Sequence, residues 1–439
     1  MMLNETVVPW ALLASVIPLL AGLGGLAMPG RRSLWSAAGL AGLWAVVLRV
    51  LLGYDFRSSG VQFATELPGL VVGIDGWSAA ALATGAGCMT ISATMRWSTS
   101  STLPGLLLAA GAGAGALVAQ DLGVVLLAGV GGLAALGGLG GLEIILAAVA
   151  LAGLVSVDSA AVAFPLLAAG LGGLALRGPR DDASALLAWV GLLMPALLLA
   201  FPRLLLPQVA DGALLWSQAT APVAAAVVVW GALRALGAAS LLRMAGGLAT
   251  MSGAVVLVAW HAVRLDAWNG GALLAVWLGP LLGLLLTLEA DPAARFARLR
   301  GRPRRAGLAA LVGLGLAGLP ATPGFPALLL VSLGSWQSQW RHAPWWFIAT
   351  LAAVWLGAFA PLRAAAAMRR GQGEAPPLGW RPLLLAAATV TVGLAPRLLV
   401  DLIDHASAER IRAMSPALER LVSGELRPLL PAFLQGWWL

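Results

Sequence analysis

The chain has 439 residues, of which 60% are hydrophobic and only 10% are charged, and its mean hydropathy is +0.90. Soluble globular proteins carry about 25% charged residues, and a protein core cannot enclose so many apolar side chains. The composition therefore excludes a soluble protein and predicts a surface that faces lipid. The net charge is +8, but the basic residues lie in short loops between apolar runs, which indicates orientation in a membrane rather than nucleic-acid binding.

All 27 basic residues are Arg, and the sequence contains no Lys. Arg keeps its proton in proteins, whereas the pKa of a Lys can be shifted until it titrates. Any proton transfer would therefore depend on carboxylates, on His261 or on water. The single cysteine, Cys88, excludes an internal disulfide and a cysteine-based metal site. Because the sequence contains no phosphate loop, dinucleotide fingerprint or metal-ligand cluster, we expect neither a cofactor nor a catalytic site in this chain.

Apolar runs of about 17–25 residues follow one another from end to end, and each is long enough to cross roughly 30 Å of hydrocarbon as an α-helix. They predict an all-α integral membrane protein with about 14 transmembrane helices and no separate soluble domain. The start of the chain lacks Lys and Arg, so we expect an uncleaved first span rather than a signal peptide. The run 142–177 fits one long helix or two short ones. The predicted spans are 8–28, 33–53, 75–96, 103–119, 121–139, 142–177, 184–206, 217–240, 243–262, 270–289, 306–321, 323–339, 345–366 and 380–396, and the longest segments outside them are 54–74, 290–305 and the tail from about 401.

Two apolar segments are interrupted by Pro, which removes a backbone donor and clashes with the preceding helical turn. The first, LLLAFPRLLLPQ, contains Pro202 and Pro207, and the second, LAGLPATPGFPALLL, contains Pro320, Pro323 and Pro326. Interrupted helices in corresponding places of two chain halves are typical of transporter-type repeats, so the pair predicts an inverted-repeat, ion-translocating fold. An ordinary kink or loop explains each segment equally well.

The second of these segments resembles a known motif. Its LAGLPATPGF, which ends in Gly324 and Phe325, resembles the SLAGIPxTxGF signature of the antiporter-like membrane subunits of respiratory complex I and its Mrp and hydrogenase relatives. The span ending at Arg363, the final span GWRPLLLAAATVTVGLAPRLL, and the segments VGIDGWSAAAL, AQDLGVVLLAGV and LLRMAGGLATMSG resemble further elements in the family's order. The resemblance covers most of residues 70–400, and its last three elements are most similar to the N-type subunit of the proton-translocating NADH–quinone oxidoreductase.

Members of this family move protons through half-channels with a Glu in the fifth helix, a Lys in the broken seventh, a Lys or His in the eighth, and a Lys or Glu in the broken twelfth. Here the twelfth-helix position holds Leu328. The seventh-helix position falls on Leu204, beside Arg203, and the eighth on Ala235, beside Arg234. Both arginines are candidates for a proton path, although neither releases a proton readily. The resemblance therefore implies the fold, whereas most of the family's proton-path charges are absent.

The fifth-helix Glu falls on Val130 when the register is counted from Asp121, and on Glu143 in an alternative register. An intramembrane carboxylate is rare and is commonly functional, so Glu143 is a candidate for proton handling or for contact between helices. A position at a helix end facing headgroups fits Glu143 equally well. His261 is a second proton-path candidate, and Arg264 shortly after it indicates a position at the membrane interface. We interpret Asp121, like Asp75, as a helix cap.

The tail differs from the rest of the chain because charged residues alternate with apolar ones at helical spacing. Ser415 and Pro416 are typical of a helix start, with Ser as the cap and Pro in the first position. The pattern predicts an amphipathic helix on the membrane surface or against a partner, and a frayed polar terminus is the alternative. The apolar positions are Ile411, Met414, Leu418 and Leu421.

The Arg distribution leaves the orientation open. Arg31 with Arg32, and Arg369 with Arg370, follow odd-numbered predicted spans, whereas the most basic loop, around 290–307, follows an even-numbered one. Either the count of spans is off by one, or this loop violates the tendency of basic loops to lie in the cytoplasm.

These patterns and the resemblance together imply a non-catalytic membrane subunit of a complex I-like or Mrp-like assembly in the cell inner membrane. Its expected partners are other membrane subunits and the bilayer, not nucleic acid. A degenerate subunit with a structural or coupling role is preferred, and the alternatives are a proton-conducting subunit that uses Glu143 and His261, or a stand-alone transporter of a small solute or lipid. The predicted divisions are N-terminal helices in 1–100, a first antiporter-like repeat in 101–240, a second in 241–370, a last transmembrane helix in 371–400 and an amphipathic tail in 401–439.

Overall fold

Helices make up most of the protein. The structure, a computed structural model, describes residues 9–55, 60–67, 70–97, 100–137, 140–156, 160–179, 182–208, 210–289, 292, 302–338, 343–370 and 379–422. The helices are α1 Trp10–Ala27, α2 Arg32–Gly53, α3 Gly76–Met95, α4 Leu103–Val118, α5 Leu122–Ala135, α6 Gly141–Val155, α7 Ala160–Leu176, α8 Ala183–Gln208, α9 Ala210–Gly237, α10 Leu241–His261, α11 Leu265–Leu286, α12 Pro303–Leu316, α13 Gly324–Trp336, α14 Ala343–Arg369, α15 Trp380–Leu394 and α16 Arg397–Val422.

Many of these helices have the length and composition of membrane spans. Among the described residues, seven are long and apolar enough to cross a bilayer, and an eighth span is present if the bent pair α15 and α16 is one crossing. Further helices, among them α4, α5, α6 and α13, are apolar but shorter, with 10–17 residues. The predicted all-α membrane class is confirmed, while the count of about 14 crossings stays a prediction.

The segment 54–74, for which the sequence predicted no element, contains a β-hairpin. Its strands, β1 Gln62–Leu67 and β2 Leu70–Ile74, pair antiparallel with an irregular register near Gln62. Val72 of β2 also forms a bridge with Ala119, directly after α4. The hairpin is therefore attached to the helical bundle and leads straight into α3.

Ion pairs identify which helix termini share one end of the bundle. Arg96, directly after α3, pairs with Asp182, directly before α8. Glu289, after α11, pairs with Arg302 and Arg305 at the start of α12. We call this end the Glu289 end, and the opposite end, where α3 begins at Asp75, the Asp75 end.

The run 142–177 forms two antiparallel helices, α6 and α7. Glu143 in the first turn of α6 pairs with Arg177, the residue that follows α7, so both helix termini lie at the Glu289 end. By contrast, α12 and α13 form one interrupted crossing, since Ser338 after α13 donates to the Ala262 carbonyl at the Asp75 end. If each passage between the two ends is counted as one crossing, the basic loops named above all follow odd-numbered crossings.

The prediction of two Pro-broken helices is correct for only one of them. Helix α8 continues through Pro202, because π-helical turns at Trp189–Leu193 and Phe201–Leu205 replace the regular spacing. The Leu206 N–H donates to the Phe201 carbonyl five residues earlier. The Phe201 N–H donates to the Leu198 carbonyl, which is the acceptor that Pro202 cannot serve because it has no N–H. Pro207 lies in the last turn of α8. The second segment is interrupted as predicted, between the end of α12 and the start of α13 at Gly324.

The tail helix α16 begins at Arg397, so the predicted start at Ser415 is wrong. Pro416 lies inside the helix, where it removes one backbone hydrogen bond and clashes with the preceding turn. Packing supports the helix, since Ile403 and Met414 are fully buried against the bundle. The apolar face of α16 therefore covers this chain's own bundle. Residues 423–439 lie outside the described residues.

Candidate functional site

A buried carboxylate stands where the β-hairpin enters α3. Asp75 caps α3, and its Oδ1 accepts the Ser78 backbone N–H at 2.8 Å. The Ser78 hydroxyl lies 2.8 Å from the same oxygen and 2.7 Å from the Leu117 carbonyl at the end of α4. The side chain of Asp75 has no exposed surface. The predicted capping role is correct, but a cap on an ordinary surface helix faces solvent, and this one does not.

Arg203, in the second π-helical turn of α8, neutralises Asp75. Its Nε donates to Asp75 Oδ2 at 2.9 Å, and its Nη2 donates to the Ala119 carbonyl at 3.3 Å. The Arg203 side chain is also fully buried, and its Nη1 has no hydrogen-bond partner among the described residues. A buried guanidinium is tolerated only when a counter-charge and hydrogen bonds replace water, and Asp75 supplies that counter-charge.

The tail helix contributes a third charge to this cluster. Arg410 of α16 places Nη2 3.4 Å from Asp75 Oδ2. Two further contacts hold α16 here, since Trp77 Nε1 donates to Ser407 Oγ at 3.2 Å and Asn269 donates to Asp404 at 2.6 Å. Arg203, Arg410 and the two Ser78 hydrogen bonds therefore surround the Asp75 carboxylate with positive charge and hydrogen-bond donors.

Asp75, Arg203 and Arg410, which we call the Asp75 cluster, connect three elements that lie far apart in sequence. The cluster joins the start of α3, the π-helical turn of α8 and the tail helix. Its cationic members keep their protons, and its carboxylate is held ionised between them. The arrangement can therefore fix the relative positions of these three elements.

Glu143 serves as a local cap. Its Oε2 accepts the Gly140 N–H at 2.9 Å, and its Oε1 accepts Nε of Arg177 at 2.6 Å. The sequence allowed two roles for Glu143, a position at a helix end or the handling of protons. These two contacts are those of a residue at a helix end. The side chain is buried, and both of its oxygens are engaged by partners that keep it ionised.

His261 lies at the other end of the bundle, in the last turn of α10. Its Nδ1 is 3.3 Å from Thr220 Oγ1, and the ring lines an apolar groove of about 410 Å³ together with Phe201 and Leu257. The two candidates of the proton-conducting alternative, Glu143 and His261, are therefore at opposite ends of the described bundle and are not brought together. Arg234 is half-buried near the end of α9, away from Arg203.

The interruption between α12 and α13 is closed by hydrogen bonds and close packing. Trp355 donates its indole N–H to the Ala317 carbonyl at 3.1 Å, which satisfies an acceptor that the end of α12 leaves free. Gly324 lies so close to Gly315 that a Cβ would overlap its carbonyl oxygen. Leu328, at the position of the family's charge, is buried and faces Gly318 in the break.

The remaining residues of the predicted broken-helix motif surround this interruption. Pro323 precedes α13 as its N-cap and is buried, whereas Pro320 and Phe325 are exposed and Pro326 is half-buried. None of these side chains carries a charge, so the break has the backbone geometry of the motif without an ionisable group in it.

The fold is similar to that of chains in three membrane complexes, although no protein-family model matches and no curated protein matches. A chain of respiratory complex I from Thermus thermophilus aligns with a TM-score of 0.71 and 20% identity, covering 92% of this chain and 99% of the other. A chain of the Mrp complex from a Dietzia species aligns at 0.75 and 17%, with 92% and 99% covered. The protein has the complex I/Mrp membrane-subunit fold. A chain of the membrane-bound sulfane sulfur reductase, an archaeal respiratory membrane complex, aligns at 0.75 and 12%, with 94% and 99% covered.

These alignments confirm, for the fold, the resemblance drawn from the motifs. Within the complex I/Mrp fold, the Asp75 cluster is what the sequence missed, because Arg410 was not among the candidate residues. The available signals were the Asp75–Ser78 capping motif and an Arg inside the apolar run of α8. Neither identifies its partner from sequence alone.

Proposed function

We propose that the chain is a membrane subunit of an ion-translocating assembly of the complex I or Mrp type, in which it has a structural or coupling role. The observation that carries the proposal is the state of the α12–α13 break. There the backbone interruption is retained, but an uncharged Leu328 fills the position at which the family carries a proton-accepting side chain. The similarity of fold to chains of multi-subunit complexes supports other membrane subunits as partners.

Two of the other ionisable candidates, Arg203 and Glu143, support the same role. Arg203 is paired with Asp75 and is fully buried, and Glu143 is engaged by Gly140 and Arg177. A proton relay requires groups whose pKa values lie near the operating pH. Guanidinium groups and doubly hydrogen-bonded carboxylates do not meet that requirement.

The finer architecture forms part of this proposal. We place the two repeats in 101–240 and 241–370, with α8 and the α12–α13 pair as corresponding elements, and the flanking divisions in 1–100, 371–400 and 401–439. The π-helical turns of α8 and the break before Gly324 both occur at Pro-containing segments, which supports the correspondence. We place the protein in the cell inner membrane with about 14 crossings.

Proton flux into liposomes tests the role. Wild type, Glu143→Gln and the exposed control Glu66→Gln should all show the same negligible flux as empty liposomes, while an added ionophore should collapse the gradient in each. A flux in wild type that Glu143→Gln abolishes and Glu66→Gln retains would overturn the structural role in favour of the proton-conducting alternative.

Purification tests the assembly. Mild extraction of a tagged chain from its native membrane should recover further membrane subunits in fixed stoichiometry. A monomer that transports a small solute or lipid without partners would overturn the proposal in favour of a stand-alone transporter.

A further inference from the structure

A cavity of about 340 Å³ opens at the Glu289 end, between the ends of α3 and α11 and the starts of α12 and α15. Its lining includes the charged side chains of Glu289, Arg305 and Arg381 and the aromatic side chain of Trp380. It does not belong to the Asp75 cluster, which lies at the opposite end of the bundle. The proposed coupling role does not use it.

The cavity carries an excess of positive charge. The carboxylate of Glu289 is shared by Arg302 and Arg305, so this group of three retains one positive charge, and Arg381 adds another. Arg381 donates Nη2 to the Thr94 carbonyl at 2.7 Å, but its buried Nε has no hydrogen-bond partner among the described residues. Two guanidinium groups beside an aromatic ring suit a phosphate group, which accepts hydrogen bonds from Arg in a fixed planar geometry.

The surroundings of the cavity indicate where that phosphate comes from. Trp380 is 55% exposed, and the Arg381 guanidinium lies 5.9 Å from the centre of its ring. Below it, Leu383 and Leu384 on the same helix are more than half exposed, as expected for side chains that face acyl chains. Trp is typical of the level of lipid headgroups, and basic pockets between transmembrane helices on the cytoplasmic side bind anionic lipid headgroups.

We propose that this cavity binds the phosphate headgroup of an anionic membrane lipid, with its acyl chains along the exposed face of α15. Arg381 and Arg305 hold the phosphate, and Trp380 lies at the level of the headgroup. A soluble anion would find the same charges but would not use the apolar surface below them.

Lipid titration of the purified, delipidated chain tests the site, with the unfolding temperature as readout. Phosphatidylglycerol should stabilise the wild type at lower concentration than phosphatidylcholine. Arg381→Gln should weaken the apparent affinity for phosphatidylglycerol roughly fivefold, because one Arg near the membrane surface contributes on the order of a fivefold change in binding. Arg381→Lys should fall between wild type and Arg381→Gln, because an ammonium group keeps the charge but lacks the planar donors of a guanidinium. The exposed Arg31→Gln, at the same end of the bundle, should behave as wild type.

Several outcomes would overturn the proposal. One is equal stabilisation of the wild type by both lipids, and another is an equal loss of affinity in Arg31→Gln and Arg381→Gln. Equal stabilisation by inorganic phosphate would replace the lipid by a soluble anion. If Arg381→Gln does not fold, the wild-type chain can be cross-linked to a photoactivatable phosphatidylglycerol instead. The cross-links should then concentrate in the peptide that contains Trp380. Cross-links spread evenly over the lipid-exposed helices would contradict the site.

Discussion

Two residues that the sequence marked separately, Asp75 as a cap and Arg203 as a candidate for proton transfer, form one buried pair. Burying both charges costs desolvation free energy, and their mutual attraction offsets that cost only when both partners are present. The removal of one partner leaves the other uncompensated, whereas the removal of both exchanges a polar pair for neutral groups. The pair is therefore a structural element whose members cannot be substituted independently.

We expect Asp75→Asn to destabilise the protein by about 3–5 kcal/mol, the range for a buried pair that loses one partner. Asn caps helices about as well as Asp. The loss of stability therefore measures the effect of leaving the Arg203 charge without a counter-charge, not the loss of a helix cap. The measurement is thermal unfolding in detergent. Combining Asp75→Asn with Arg203→Gln should restore much of the stability.

Asp121 supplies the matched control, because it also caps a helix and, within the described part of the chain, its side chain accepts only the Val124 backbone N–H. Asp121→Asn should change the free energy of unfolding by less than about 0.5 kcal/mol. A double variant that is no more stable than Asp75→Asn alone would show that the pair does not act as a unit.

At the scale of single residues, the sequence could predict caps but not the cluster. Capping of α3 by Asp75 and of α5 by Asp121 follows from local spacing, and both caps are present. Arg203 and Arg410 lie 128 and 335 positions from Asp75 along the chain. Contacts at such separations depend on how the helices pack, which one sequence does not encode in any local pattern.

At the scale of elements, the break between α12 and α13 depends on backbone contact. Gly324 and Gly315 approach so closely that only a residue without Cβ fits at position 324. Gly318 has φ of +72°, where Gly pays no steric penalty, and Ala321 has φ of +65°. The break is therefore a defined turn held by close backbone contact, rather than a frayed helix end.

Gly324→Ala should open or displace this turn and lower the unfolding temperature, because overpacking at backbone contact costs about 1–3 kcal/mol or more. Gly307 in α12 is the control, since a Cβ there meets nothing within 4 Å. Gly307→Ala should be neutral or stabilising by about 0.5–1 kcal/mol through helix propensity. Equal unfolding temperatures for the two variants would contradict the backbone contact.

Helix α16 is fixed on the bundle by the Asp75 cluster and by its apolar face. We expect Arg410→Ala to increase hydrogen exchange in α16, with little effect on α3, because Asp75 keeps Arg203 as its counter-charge. Arg397→Ala is the control, since the Arg397 side chain is 90% exposed and pairs only with nearby Asp401 among the described residues. If both variants exchange at the wild-type rate, Arg410 does not hold the helix.

The element boundaries show which signals are local. Hydropathy predicted the helices well, and the break before Gly324 followed from its cluster of Pro and Gly. Pro202 carried the same signal but led to a π-helical turn, because the outcome depends on whether neighbouring turns can widen inside the bundle. The sequence left open whether the run 142–177 is one long helix or two short ones, since its few polar residues lie within a long apolar stretch.

At the scale of the whole molecule, the arrangement of helices settles which charged loops lie together. Arg96, Arg177 and Arg302 all belong to the Glu289 end through their ion pairs. The Arg302 N–H also donates to the Met368 carbonyl, which brings Arg369 to the same end. Among the described residues, the tail helix contributes several carboxylates to the Asp75 end, among them Asp404 and Glu409. Counting α6 and α7 as two crossings, and α12 with α13 as one, would remove the parity conflict in the sequence without a loop that breaks the rule.

Because basic loops lie on the cytoplasmic side of bacterial-type membranes, we expect the Glu289 end to face the cytoplasm and α16 to face the opposite compartment. Single cysteines at two exposed arginines test this, with Cys88 left in place because it is buried. A membrane-impermeant maleimide added to intact cells or right-side-out vesicles should label Arg397→Cys, and should label Arg370→Cys only after permeabilisation. The reverse pattern would place α16 in the cytoplasm. The lipid site would then face the outer leaflet, so the same two variants also decide from which leaflet its anionic lipid must come.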